Sequence, residues 1–160
     1  MLGLAEPSKT SRFVAIVLIL GLSTATAARA ENYRLAAAKS DLIVGVDTDS
    51  LRFHGDRRTF WMTMVQSEEQ LPSEAYRKVR YEVNCVSEAM TVLSVVSYDG
   101  DGDTIETSHQ RGLTEPVIPG SVGSYIFTAV CTEQWQDEPP GISFELFLQV
   151  AQKVLADNAS

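Results

Sequence analysis

Hydrophobic and polar positions alternate along most of the chain, and the pattern changes only near the C-terminus. Alternation with a period of two is typical of a strand with one buried face. It is clearest in three runs, residues 57–66, 79–85 and 124–131. In residues 57–66 both faces are rather apolar, which favours a strand in the middle of a sheet. Further extended segments are predicted at residues 42–46, 51–53, 89–98 and 104–108. Residues 33–38 fit either a strand or a short helical turn.

Turn-forming residues separate these runs. Residues 47–50, which are Asp-Thr-Asp-Ser, are predicted to end the strand at 42–46, because Asp and Ser side chains bond to nearby backbone amides. Residues 54–56 are predicted to form the next turn. Residues 99–103, Asp-Gly-Asp-Gly-Asp, give a strong turn signal because glycine reaches positive φ without a steric penalty. Residues 116–123 are predicted to form a loop rich in Pro and Gly.

A helical period begins after the breaker at residues 139–141, Pro-Pro-Gly. Apolar residues then recur at three- and four-residue spacing: Phe144, Phe147, Leu148, Ala151, Val154 and Leu155. This predicts one amphipathic helix over residues 142–157. Its polar face is not basic, so packing on the sheet is favoured over a membrane surface. Many strands followed by one helix predict an α+β fold, with an antiparallel sheet of about six strands in residues 31–141.

The first 30 residues have the pattern of a secretory signal peptide. Lys9 and Arg12 precede an apolar run at residues 13–22, and Ala28 and Ala30 fit the small-residue cleavage site. A run of this length is shorter than the roughly 20 residues needed to cross a bilayer. We therefore predict export with cleavage after Ala30, and an uncleaved N-terminal anchor is the alternative. No later stretch of the sequence has the pattern of a transmembrane helix.

The sequence contains two cysteines, Cys85 and Cys131. Export leads to an oxidising compartment, and two cysteines without a leftover thiol fit one intramolecular disulfide. Each cysteine ends an alternating run, so the sulfur atoms can meet if the two runs share a sheet. A zinc site and a catalytic thiol are the alternatives, but the closely spaced ligands that zinc usually needs are missing.

The charge balance narrows the class of partner. The chain has 13 basic and 21 acidic residues, of which three basic residues and one acidic residue lie in residues 1–30. The remainder has 10 basic and 20 acidic residues, a net charge of −10. Such a domain is repelled by phosphate backbones and by anionic lipids, so nucleic acid is not expected as a partner.

Residue types that carry catalysis do not form a catalytic pattern in this sequence. His54 and His109 are the two histidines, and each lies in a polar, turn-like segment. Metalloprotease, nucleophile-elbow, phosphate-loop and dinucleotide motifs are not found. We expect no enzymatic activity and no cofactor.

The acidic turn at residues 99–103 has carboxylates at positions 1, 3 and 5 of a calcium loop. Position 6 of that loop should be Gly and is Thr104, and position 12 should be Glu and is Gln110. An acidic turn is therefore favoured over a calcium site, and no metal is expected.

Four residues are candidates for contact with a protein ligand. Arg52, Arg57 and Arg58 form a local basic cluster, and Trp135 lies in a polar stretch. A solvated hairpin end is the alternative explanation for the arginines. Trp61, in contrast, lies in a predicted strand and is expected in the core.

Several short motifs between residues 42 and 131 follow one another in an order that is more specific than any one of them alone. In sequence order they are Val46-Asp47, Ser50-Leu51-Arg52, Phe60-Trp61, Cys85, Gly100 or Gly102, Pro119-Gly120-Ser121 and Cys131. In this order the chain resembles the surface-adhesin protein E family of bacterial envelope proteins.

The resemblance implies a small antiparallel sheet, a C-terminal helix and a disulfide between Cys85 and Cys131. It also implies the envelope or surface of a Gram-negative bacterium, and an adhesin that binds host matrix and serum proteins, such as laminin and vitronectin, and haem. The expected function is therefore an exported, non-catalytic binding domain with a protein ligand. A periplasmic structural or accessory protein is the alternative, favoured by the acidic charge and by the lack of a cysteine for lipidation near the cleavage site.

Overall fold

The computed structural model describes residues 31–67, 74–132, 135 and 138–159. The predicted signal peptide lies outside these residues. The described parts form seven strands and two helices: β1 (Tyr33–Ala38), β2 (Leu42–His54), β3 (Arg57–Gln66), β4 (Tyr76–Asn84), β5 (Ala89–Tyr98), β6 (Thr104–Ser108), β7 (Thr114–Pro116), α1 (Val122–Cys131) and α2 (Phe144–Asn158).

The strands form one antiparallel sheet in the order β1-β2-β3-β4-β5-β6, and β7 also pairs with β5. Because β4 occupies one edge of β5, the short strands β6 and β7 share its other edge, opposite residues 95–98 and 89–91. The predicted α+β class and antiparallel sheet are confirmed. The sheet has seven strands where about six were expected.

Alternation along the strands creates two faces with separate cores. On one, here called the α1 face, Val44, Phe60 and Val83 pack with Ile126 and Val130 of α1. On the opposite, α2 face, apolar residues of β1–β4 pack with α2: Tyr33, Ile43, Val65 and Tyr76 meet Phe147, Ala151 and Leu155. The sheet therefore lies between two helices, where one was predicted, and the second helix accounts for the apolar character of both faces of β3.

Helix α1 corrects the strand predicted at residues 124–131. Ser121 caps the helix, since its side chain accepts a hydrogen bond of 3.2 Å from the amide of Ser124. The buried residues Ile126, Ala129 and Val130 also fit the three- and four-residue spacing of a helix. The run is rich in β-branched and aromatic residues, which raise strand propensity, but the cap and the burial on the α1 face favour a helix.

The turn predicted at residues 47–50 is a bulge inside β2, so that prediction is wrong as well. The β2–β3 register shifts between Asp47 and Arg52. Ser50 donates to the carbonyl of Asp47 at 2.6 Å and accepts from the amide of Trp61 at 2.8 Å. The polar side chains satisfy the backbone as expected, but they keep the strand running through a bulge.

The C-terminal helix and the disulfide agree with prediction. Ser143 caps α2, so the helix begins at Phe144, two residues later than predicted. Cys85 and Cys131 are bonded and join the end of β4 to the end of α1. Neither helix, nor any other helical segment among the described residues, has the length and apolar character to cross a membrane.

Residues 99–103 form the tight turn between β5 and β6. The carboxylate of Asp99 accepts hydrogen bonds from the amides of Asp101 and Asp103, at 3.0 and 2.8 Å. Gly102 has a φ of 86°, in the region that glycine adopts most readily. The predicted acidic turn is confirmed.

Candidate functional site

The predicted arginine cluster lies at the end of the β2–β3 hairpin, but the strands separate its members. Phe53 pairs with Arg58, whereas Arg52 and Arg57 lie in the neighbouring positions of the register. Because successive side chains of a strand point to opposite faces, Arg57 lies on the α2 face and Arg58 on the α1 face. The sequence cluster is therefore not one basic patch.

Two of these arginines have local roles at the hairpin end. The Arg58 guanidinium lies 4.6 Å from the ring centroid of Phe53, a cation–π contact, and donates to the carbonyl of Gly55. Arg52 donates to the carbonyls of Asp49 and Leu51 at 2.9 and 2.8 Å. Both side chains thus stabilise the end of the β2–β3 hairpin.

The two tryptophans are both half-buried and lie on opposite faces of the sheet. Trp61 was expected in the core but is only half-buried on the α2 face of β3, opposite Asp47 and Arg80. Trp135 is half-buried and packs against the core of the α1 face. It therefore lies on the other side of the sheet from Arg57.

In the structure, Arg57 lies beside two residues that sequence reasoning missed, Glu82 and Arg111. Both arginines bond to Glu82. One carboxylate oxygen of Glu82, Oε1, accepts from Arg57 Nη1 at 3.1 Å and from Arg111 Nη2 at 2.8 Å. These three side chains line a cavity of about 140 Å³. Its other lining residues are Asn84, Ser87, Ala89, Thr91 and Thr114. We call this cavity the arginine pocket.

Strand register places the residues of the arginine pocket. Glu82 lies on the α2 face of β4, between Thr59 of β3 and Thr91 of β5. Arg57 is the first residue of β3 and lies opposite Asn84, two pairs further along the register. Glu82 and its two partners thus come from three places in the chain that only the folded sheet brings together.

The segment that carries Arg111 is fixed by the residues that follow it. Gly112 donates to the carbonyl of Val92 at 2.9 Å, and the hydroxyls of Thr91 and Thr114 are 2.8 Å apart. Arg111 is therefore held over β5 by backbone and side-chain bonds of its neighbours.

Exposure distinguishes the members of the arginine pocket. The Glu82 side chain is 19% exposed, whereas those of Arg57 and Arg111 are 55% and 53% exposed. A largely buried carboxylate thus orients two guanidinium groups whose outer sides face solvent. One negative and two positive charges leave the pocket with an excess positive charge.

Helix α2 covers only part of its face, which leaves the arginine pocket open. It packs on the end of the sheet near Tyr33, Val65 and Tyr76. The hydroxyl of Tyr33 bonds to that of Thr63 at 2.9 Å, and burial raises the pKa of Tyr33. The other end of this face, with the pocket, Trp61 and Arg80, carries mainly polar residues.

Asp47 is a buried carboxylate at the boundary between these two parts, with 7% of its surface exposed. Burial raises the pKa of Asp47, and the charges of Glu31 and Asp49 add to the rise. Hydrogen bonds from the amides of Asn32 and Asp49, at 3.2 and 3.1 Å, act in the opposite direction. The native state thus holds this proton more tightly than the unfolded chain does.

Replacing Asp47 with Asn is expected to stabilise the protein at pH 7. Since the folded pKa is raised, wild-type stability falls as the pH rises from the unfolded value, about 4, through the folded one. Asn keeps an acceptor oxygen but removes this loss, so the gain should shrink as the pH falls from 7 to 4. Urea denaturation midpoints over this range check it. A gain that is unchanged at pH 4, or a loss at pH 7, would contradict the assignment.

A second cavity, of about 460 Å³, lies between the edge strand β1 and the start of α1. Leu35 and Tyr125, which are 61% and 57% exposed, line it together with Ala36, Ala37, Ala38, Lys39, Gly120 and Val122. This apolar groove is distinct from the arginine pocket, which is on the α2 face.

The histidines lie apart from each other. His54 ends β2 opposite Arg57, whereas Nδ1 of His109 is 3.1 Å from the hydroxyl of Ser94. Among residues 31–67, 74–132, 135 and 138–159, no group of three or more His, Cys, Asp or Glu side chains is arranged to hold a metal ion.

Comparisons with known proteins identify the family. A family model described as surface-adhesin protein E matches residues 33–132. A crystal form II structure of Haemophilus influenzae protein E is 14% identical, with 61% of this chain and 92% of that chain covered and a TM-score of 0.47. A protein E structure from non-typeable Haemophilus influenzae is 13% identical, with 76% and 88% covered and a TM-score of 0.48. No curated protein matches the sequence.

The family match runs from β1 through α1 and includes both disulfide-bonded cysteines. It covers more than half of the chain and agrees with the resemblance found in the ordered motifs of the sequence. The chain belongs to the surface-adhesin protein E family.

Proposed function

We propose that this protein is an exported, adhesin-type domain that binds a protein ligand and catalyses no reaction. The observation that carries the proposal is the match of the adhesin family model over residues 33–132. Residues 31–141 and the helix predicted at 142–157 act in this proposal as one folded domain, since α2 packs on strands β1–β4.

The proposed location is the cell surface of a Gram-negative bacterium. Family membership supports a surface or envelope protein, and the Cys85–Cys131 disulfide fits export to an oxidising compartment. Residues 1–30 are proposed to direct export and to be removed after Ala30.

The proposed contact surface is the β2–β3 hairpin end together with the open part of the α2 face. Arg52 and Arg57 are exposed there, and Arg58 stands on the other face of the same hairpin. Exposed arginines are enriched among residues that dominate binding energy. Trp135, half-buried on the α1 face, is proposed to contribute its accessible edge to a ligand that wraps around the hairpin end.

Binding of residues 31–160 to immobilised laminin and vitronectin, measured by biolayer interferometry, tests the proposal. The Arg52→Gln/Arg57→Gln variant should bind at least about tenfold more weakly, which corresponds to 1.4 kcal/mol. Lys39→Gln/Lys153→Gln is the matched control, because it removes two positive charges elsewhere, and it should bind like the wild type. Absence of wild-type affinity for both proteins, or an equal loss in the control, would contradict the proposal.

A further inference from the structure

We infer that the arginine pocket binds a carboxylate side chain of the protein ligand, so that the partner presents an acidic peptide segment to the open part of the α2 face. The inference rests on the proposed binding function and names the chemistry of the partner at that surface. Four features of the pocket carry it: oriented donors, local charge, cavity size and exposure.

Glu82 orients the donors of the pocket. Both guanidinium groups bond to the same oxygen, Oε1, which holds Arg57 and Arg111 at one carboxylate. A guanidinium has five N–H donors in a planar fork, and the bond to Glu82 uses one of them. The remaining donors suit bidentate recognition of a second carboxylate. Because the guanidinium groups are already positioned, less side-chain entropy is lost when that carboxylate binds.

The charge around the pocket is opposite in sign to that of the domain. Arg80 is exposed on the same face of β4, two residues from Glu82. Among the strand residues of β3–β5 that point to the open part of this face, together with residues 109–113, Glu82 is the one acidic group against Arg57, Arg80 and Arg111. Lys78 is on the same face of β4 but lies against Phe144 of α2 and pairs with Glu31. These strand and loop residues therefore carry an excess of two positive charges on a domain of net charge −10. Such a local reversal attracts a short acidic segment, whereas long polyanions are repelled by the rest of the domain.

The size of the cavity fits one side chain and not a cofactor. Its volume is about 140 Å³, below the 300–1,000 Å³ that is usual for small-molecule and cofactor sites. The hydroxyls of Thr91 and Thr114 and the amide of Asn84 give it a polar wall. A Glu or Asp side chain that enters it reaches both guanidinium groups and leaves its own backbone outside, along the open face.

Fluorescence anisotropy with a labelled peptide, acetyl-Gly-Glu-Glu-Glu-Glu-Gly-amide, tests the inference on purified residues 31–160. Arg111→Gln and Arg57→Gln should each raise the Kd about tenfold, since each removes a charge-assisted hydrogen bond. Lys153→Gln, which removes an exposed positive charge on α2, is the matched control and should leave the Kd unchanged. A peptide with Gln in place of Glu should not bind the wild type.

A charge-preserving variant separates geometry from net charge. Arg111→Lys keeps the charge but loses the planar fork, so its Kd should lie between those of the wild type and Arg111→Gln. Equal binding of the Glu and Gln peptides, or an unchanged Kd in both Arg→Gln variants, would overturn the inference. The peptide comparison uses only the wild type, so it holds even if an arginine variant folds poorly.

Failure of this inference and failure of the proposed function are distinguishable. If Arg111→Gln binds laminin and vitronectin like the wild type, the arginine pocket is not the carboxylate site, while the adhesin function stands. If the wild type binds neither matrix protein but binds the Glu peptide, the proposed ligand class is wrong and the pocket stands.

Discussion

Replacing Cys85 with Ser is expected to lower the free energy of unfolding by about 2–5 kcal/mol under oxidising conditions. The disulfide joins cysteines 46 residues apart in the sequence. For a loop of this length, the chain-entropy model gives a stabilisation of about 4 kcal/mol. It also fixes the end of α1, a helix of 10 residues that is too short to be stable alone. Urea denaturation followed by circular dichroism measures the loss.

The control for this prediction is the Cys85→Ser/Cys131→Ser variant. It should lose as much stability as the single variant, because either change removes the whole bridge. Reduction of the wild type should bring its stability to the same level, and reductant should not affect the double variant. Equal stability of the oxidised wild type and the double variant would show that the bridge does not stabilise the fold.

Replacing Phe147 with Ala is expected to lower the free energy of unfolding by about 3–5 kcal/mol, typical for a buried aromatic side chain. The ring is 4% exposed and stacks on Tyr33 with 5.1 Å between ring centroids. It also lies directly over Gly45, where a methyl group would come within 3.0 Å of three ring carbons. The glycine thus provides the space that lets α2 approach β2, and the loss of the ring leaves a cavity there.

Val150→Ala is the matched control on the same helix. Val150 is 49% exposed, so its truncation should change stability by no more than about 0.5 kcal/mol. Thermal and urea denaturation of both variants give the comparison. Similar losses in Phe147→Ala and Val150→Ala would contradict the packing of α2 on the sheet.

The sequence predicted those elements in which local pattern and tertiary environment agree. Strands β3 and β5 and helix α2 have the period expected for their burial, and their predicted bounds are close to the observed ones. Helix α1 was missed because its residues satisfy both a strand pattern and a helical spacing. The cap at Ser121 and the contact with the α1 face decide between the two, and the second of these is not a local property.

The arginine pocket was not predicted as a unit, for a related reason. Arg57 was singled out within its local cluster, and residues 79–85, which include Glu82, were recognised only as an alternating run. Along the chain, Glu82 lies 25 residues after Arg57, and Arg111 lies 29 residues after Glu82. Their meeting depends on strand register and on the path of the segment before β7, which the periodicity of single strands does not specify.

Protease accessibility in the native bacterium tests the central claim, a surface adhesin, most directly. Intact cells and cells with a permeabilised outer membrane are treated with protease, and the protein is followed by immunoblotting beside a periplasmic control protein. The proposed function predicts digestion in intact cells while the control protein survives. Protection until the outer membrane is breached would contradict it and favour the periplasmic structural or accessory role.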